Sequence, residues 1–133
     1  MSAQAVLRMF AVSFLVTVLV EEGAAALAGV RGRRGALLIF LVNLLTNPAA
    51  VLLVFGLGLF APQRIPPGFA RHLMELPVEA AVVLAEGAVF RACSGRGFPV
   101  IRRPFRLSLF LNALSYISGG LLTEGSRYLG GPG

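Results

Sequence analysis

Six glutamates supply all the acid in this 133-residue chain, and five of them interrupt stretches that are otherwise almost wholly apolar. Glu21 and Glu22 stand in the run 9–30, and Glu75, Glu79 and Glu86 in the run 73–90. Amides and hydroxyls keep similar company. Asn43, Thr46 and Asn47 lie in the chargeless run 35–62, and Ser108, Asn112 and Ser115 in the chargeless run 107–123. Carboxylates among such dipoles can take up and release a proton or a small cation, and a pair of them can divide acid and base roles. Pro48 adds a further possibility. It has no amide hydrogen for the Leu44 carbonyl and its ring pushes that carbonyl aside, so oxygen is freed beside Thr46. Freed carbonyls can ligate a cation, as in the broken helices of transporters, or Thr46 and Asn47 can simply re-satisfy the bend.

Spacing groups these residues further. At about 100° per residue, Glu75, Glu79 and Glu86 fall within roughly a 40° arc of one helix. Asn43, Thr46 and Asn47 share one face of a second, and Ser108, Asn112, Ser115 and Gly119 one face of a third. Glu22 precedes the first arginine cluster by about eight residues and Asn43 follows it by about eight, so both sit roughly 12 Å in from the same side. Glu86 and Asn112 flank the second cluster at a similar, somewhat shallower level. The spacing therefore predicts a polar ring of Glu22, Asn43, Glu86 and Asn112, with Thr46, Asn47, Glu79 and Ser115 as further ion- or substrate-binding residues. Side chains of the two halves should approach within roughly 3–6 Å. Glu21, in line with Ser13 and Thr17, is expected on a different face, toward a neighbouring subunit. No residue is assigned a catalytic role. His72 stands at His-x-x-Glu spacing from Glu75, a known metal-ligand spacing, but Pro77 complicates the turn, and it is read as an ordinary interfacial histidine. No metal or cofactor is assigned.

The elements that must position these groups follow from composition. The chain is 56% hydrophobic and only 14% charged, with a mean hydropathy of +0.81. Soluble domains carry about 25% charged residues, so the apolar surplus calls for a lipid solvent. The fold class expected is an all-α integral membrane protein with four transmembrane helices, at about 6–30, 36–60, 75–91 and 105–123. Residues 61–74, with Pro62, Pro66, Pro67 and Gly68, read as an external loop. Residues 124–133 read as a disordered tail. A cleavable leader ending near residues 24–26 is disfavoured by the two glutamates immediately before it.

An internal repeat organises the four helices. Glu22-Gly23-Ala24 recurs as Glu86-Gly87-Ala88, and Leu52-Leu53 falls in register with Leu121-Leu122. Arg33-Arg34, eight residues and Asn43-x-x-Thr46 recur as Arg102-Arg103, eight residues and Asn112-x-x-Ser115. Each unit, 1–60 and 75–123, is then a two-helix hairpin, and two hairpins crossing in the same sense form a parallel repeat about an axis along the membrane normal.

Twelve arginines set the charge and the orientation. Arg31, Arg33, Arg34, Arg91, Arg96, Arg102, Arg103 and Arg106 fall in the two hairpin loops, against Arg8, Arg64, Arg71 and Arg127 on the other side. The positive-inside rule puts both loops in the cytoplasm and both termini outside, in a multi-pass protein of a bacterial plasma membrane. The basic pI near 11.3 comes from loop arginines and not from a basic-aromatic surface, so no nucleic-acid partner is expected. Lone Cys93 excludes a disulfide framework within the chain. The partners expected are the lipid bilayer, a proton or monovalent cation, and further copies of the chain or a partner membrane subunit.

Three functions fit these residues. The favoured one is a small proton- or cation-linked transporter or channel-like protein with an intramembrane Glu/Asn site. The alternatives are a non-catalytic membrane interaction subunit or assembly factor, and an intramembrane enzyme using paired carboxylates. Glu21-Glu22 resembles the opening of the Glu-Glu-x-x-x-Arg motif of membrane-embedded prenyl-protein proteases, but Ala26 stands where the arginine belongs. Length and helix number resemble those of small multidrug-resistance transporters, but Glu22 lies late in its span and tryptophan is absent. Neither family is assigned.

Overall fold

The computed structural model describes residues 3–59 and 67–129. They form four helices: α1 (Ala3–Leu27), α2 (Arg33–Leu59), α3 (Pro67–Cys93) and α4 (Pro104–Leu129). No strand occurs among the described residues. α1 and α2 are long and apolar enough to cross a membrane, with windows of mean hydropathy 1.8 and 2.3.

Two boundaries differ from the sequence reading. Residues 67–74, expected in a loop, belong to α3. Pro67 opens that helix, where its fixed φ suits the first turn and its missing N–H would have had no partner in any case. Residues 124–129, expected in a disordered tail, continue α4. The rest of the expected loop (61–66) and of the expected tail (130–133) lie outside the described residues. α2 and α3 also run on through Pro48 and Pro77.

The hairpin turns are built from glycines with positive φ. Gly29 (φ 95°) ends α1 in a Schellman motif, in which the Val30 N–H donates to the Ala25 carbonyl at 2.8 Å and the Gly29 N–H to Ala26 at 3.2 Å. Arg31 Nε donates to the same Ala26 carbonyl at 2.9 Å. Between α3 and α4 the turn runs through Gly95 and Gly97 (φ 75° and 82°), and the Ser94 hydroxyl accepts the Ile101 N–H at 2.8 Å.

Each helix packs on two neighbours, in the cyclic order α1, α2, α3, α4 and back to α1. Where α3 meets α4, a Cβ added at Gly87 would lie 2.3 Å from Cδ1 of Phe105, so only glycine fits under that ring. The apolar core gathers at the hairpin-turn end, around Ala24, Ala25, Leu38, Ile39, Phe90, Ile101 and Leu107. Among the described residues each helix exposes large apolar side chains, with Leu19, Leu45, Leu84 and Leu109 each more than half exposed.

Candidate functional site

The interior of this bundle holds two of its acids while the exterior holds many of its leucines. Glu21 and Glu86 are each 1% exposed, and Asn43, Thr46, Ser108 and Asn112 are buried beside them. α1 supplies Glu21 because Val18, Glu21, Ala24 and Ala25 form its inward face. Small alanines there let the helices approach closely.

Glu21 accepts two hydrogen bonds, from Asn43 Nδ2 on α2 at 2.7 Å and from Ser115 Oγ on α4 at 2.9 Å. Glu86 accepts three. Thr46 Oγ1 on α2 donates to Oε1 at 2.8 Å, while on α4 Ser108 Oγ (3.1 Å) and Asn112 Nδ2 donate to Oε2. Each carboxylate is thus gripped by the asparagine of its own hairpin and by the Thr or Ser hydroxyl of the other. The asparagines are themselves fixed, since each amide also donates to the carbonyl one turn back, Asn43 to Ile39 at 3.1 Å and Asn112 to Ser108 at 3.0 Å. Each hydroxyl also has a carbonyl as an alternative acceptor: Val42 at 2.9 Å for Thr46, Asn112 at 3.1 Å for Ser115 and Val83 at 3.0 Å for Ser108. No buried side-chain oxygen or nitrogen among the described residues lacks a partner.

Five of the eight site residues read from the sequence meet here: Asn43, Thr46, Glu86, Asn112 and Ser115. Glu22 does not; it is half-buried on the flank of α1, and Glu21 takes the place expected for it. The Glu22-Gly23-Ala24 and Glu86-Gly87-Ala88 triplets are therefore not in the same environment. Gly23 faces open space and Gly87 lies under Phe105. Glu79 lies two turns before Glu86 on the same side of α3, half-buried and outside this set of hydrogen bonds. Asn47 is half-buried beside Pro48 and also outside it. The sequence reading missed Glu21 and left Ser108 out of the site. The available signal was the line of polar residues Ser13, Thr17 and Glu21 at four-residue spacing, since a polar line on an apolar helix turns inward.

Surroundings differ on the two sides of this polar layer. Toward the hairpin turns Ile39, Phe90, Ile101 and Leu107 close the bundle. Beyond them the turns bound an open groove of about 540 Å³ lined by Arg31, Arg33, Arg34 and Gly97, with Arg34 Nη1 donating to the Gly97 carbonyl at 3.2 Å. Toward the chain termini, Val18 and Val78 are the only buried side chains among the described residues; the others are half-buried or exposed. Among the described residues no three His, Cys, Asp or Glu side chains converge to hold a metal ion. No family model matches the chain, and no curated protein or solved structure shows significant similarity to it.

Proposed function

We propose that this chain is a four-span membrane protein whose buried Glu21–Glu86 layer binds and releases a proton or monovalent cation during transport. The observation that carries this reading is the pair of fully enclosed carboxylates in a bundle whose outer surface is apolar. An intramembrane acid costs on the order of 2–3 kcal/mol, whereas interhelical hydrogen bonds return about 0.6 kcal/mol each in a well-studied bundle. Neutral Ser or Asn would hold the helices together at lower cost, so two carboxylates call for a purpose beyond packing.

Length and surface support the four spans. Each helix has 25–27 residues, which at about 1.5 Å per residue exceeds a hydrocarbon core of roughly 30 Å. The two hairpins act as a parallel repeat, with Asn43-x-x-Thr46 and Asn112-x-x-Ser115 as corresponding units and Glu21 and Glu86 as corresponding acids. On this register the second hairpin turn is longer by four residues. The arginine-bearing turns face the cytoplasm. The apolar closure around Phe90 seals that side, and the looser terminal half admits ions from the other. Pro48 and Pro77, each inside a helix, supply points where α2 and α3 can flex.

Reconstitution into liposomes carrying a pH-sensitive dye tests this. Wild-type protein should pass protons or monovalent cations down an imposed gradient, and Glu86→Gln should not. Vesicles as tight as protein-free controls under every gradient would leave the carboxylates as structural groups only.

A further inference from the structure

We infer that the species taken up by the buried layer is the proton, one on Glu21 and one on Glu86, with Ser115 and Thr46 as hydroxyls that turn as each proton arrives. The inference rests on the transport reading for its purpose, but its test does not depend on transport.

Charge comes first. Glu21 and Glu86 share one buried layer and form no ion pair with a cation among the described residues. On α1 the nearest charged group is Glu22, on the flank; on α3 they are Arg91, five residues on and exposed, and Glu79, two turns before. α2 brings no charge closer than Arg34, nine residues before Asn43, and the nearest on α4 is exposed Arg106. Buried charges are ordinarily paired, so whatever balances these two acids must be bound from outside.

Hydrogen counting then decides between a proton and a metal cation. A metal cation is held by oxygen lone pairs, yet those of Glu21 and Glu86 point at donors. Asn43 and Asn112 present their NH₂ groups, and each is held that way round because its second hydrogen serves a carbonyl. A flipped amide would set its oxygen against both a carboxylate and a carbonyl. The hydroxyls of Thr46, Ser108 and Ser115 each carry one hydrogen but face two acceptors, a carboxylate oxygen and a backbone carbonyl. One hydrogen cannot serve both. The layer therefore has more acceptor contacts than hydrogens, and protons are what it lacks.

Loading costs no hydrogen bond. A proton from water forms an O–H bond on Glu86 Oε1, which then donates to Thr46 Oγ1, and the Thr46 hydrogen turns to the Val42 carbonyl. Oε2 keeps the Asn112 amide. On Glu21 the new O–H forms on Oε1 and donates to Ser115 Oγ, whose hydrogen turns to the Asn112 carbonyl while Asn43 stays on Oε2. Release reverses each turn, returns the proton to water and restores the hydroxyl donation to each carboxylate.

Infrared difference spectroscopy on the purified full chain in lipid nanodiscs, titrated with acid, tests the inference. The protonated-carboxyl C=O band should include a component that falls by about half in Glu21→Gln and in Glu86→Gln and disappears in the double variant. Thr46→Val should move only the half belonging to Glu86, because its hydrogen-bond acceptor is gone, while Thr46→Ser restores the position. Thermal unfolding of each variant confirms that it is folded. If sodium or potassium erases the component at fixed pH, the layer is a metal-cation site and the inference is overturned. An acid-independent spectrum in protein that still transports overturns it too, leaving the transport reading intact. An acid-dependent band in protein that transports nothing upholds it and removes the transport reading instead.

Discussion

Ser115 Oγ lies 2.9 Å from Glu21 Oε1, joining residues 94 positions apart and tying the last helix to the first. Thr46 Oγ1 makes the complementary tie, 2.8 Å from Glu86 Oε1. These two bonds are the polar contacts within the buried layer that pass from one hairpin to the other. Ser115→Ala and Thr46→Val should each lower stability by about 0.6–2 kcal/mol. Unfolding by denaturing detergent, followed by circular dichroism, gives the values. A double-mutant cycle of Glu21→Gln with Ser115→Ala should show coupling, and strict additivity would mean the contact contributes nothing.

The two adjacent glutamates of α1 should behave oppositely. Glu21→Gln should keep the fold, since an amide fills the same volume and Asn43 and Ser115 can re-pair with it, yet on the transport reading should abolish flux, as should Glu86→Gln. Glu22→Gln should transport as wild type, because Glu22 is half-buried outside the layer. Glu86→Lys should fail to assemble, since it sets a cation against the Asn112 amide in a dry interior. Dye-based flux and size-exclusion profiles separate these outcomes. A Glu22→Gln protein as inactive as Glu21→Gln would contradict the assignment of the site.

Gly87→Ala should destabilise the α3–α4 contact by about 1–3 kcal/mol, the usual cost of overpacking, because the new Cβ meets three atoms of the Phe105 ring within 3.0 Å. Adding Phe105→Ala should recover much of the loss. Gly23→Ala meets nothing within 4 Å and should be neutral or stabilising by up to about 1 kcal/mol, since alanine is the better helix former. Midpoints of thermal unfolding in one detergent compare the three.

Arg33 and Arg96 are exposed in neighbouring hairpin turns, so both should lie on the same, cytoplasmic side. In a Cys93→Ser background, Arg33→Cys and Arg96→Cys should resist a membrane-impermeant thiol reagent in intact cells and react after lysis. Labelling of one but not the other in intact cells would rule out a four-span arrangement with both turns on one side.

The helices were legible because long apolar runs, two of them free of charge and the others broken only by glutamates, leave little else to build, and Asn43-x-x-Thr46 with Asn112-x-x-Ser115 marked two polar faces that do meet. The start of α3 was not legible: Pro66-Pro67-Gly68 reads as a turn, although Pro67 is a good first helical residue. Nor was the choice between Glu21 and Glu22. α1 is apolar on most sides, and the line Ser13, Thr17 and Glu21 is the one contrast that marks a face. Whether that line turns toward the bundle or toward a neighbouring subunit is settled by Ala24 and Ala25 packing against the other helices, which composition does not reveal. Ser108 was visible on the right face, but its bond to Glu86 depends on how α3 and α4 are juxtaposed.

The closure formed by Ile39, Phe90, Ile101 and Leu107 has an electrical consequence. In the four-span arrangement proposed above, this apolar layer between the carboxylates and the arginine-bearing turns would act as an insulator, so much of a membrane potential would fall across it and less across the looser terminal half. A charge moving across the whole field gains about 2.3 kcal/mol per 100 mV. Most of that work would be done in the short step past Phe90. Loading the glutamates from the terminal side should therefore respond weakly to voltage, and onward passage strongly. Substituting Phe90 with a smaller apolar residue would redistribute the field, and flux under an imposed potassium diffusion potential would register the change as a weaker voltage dependence.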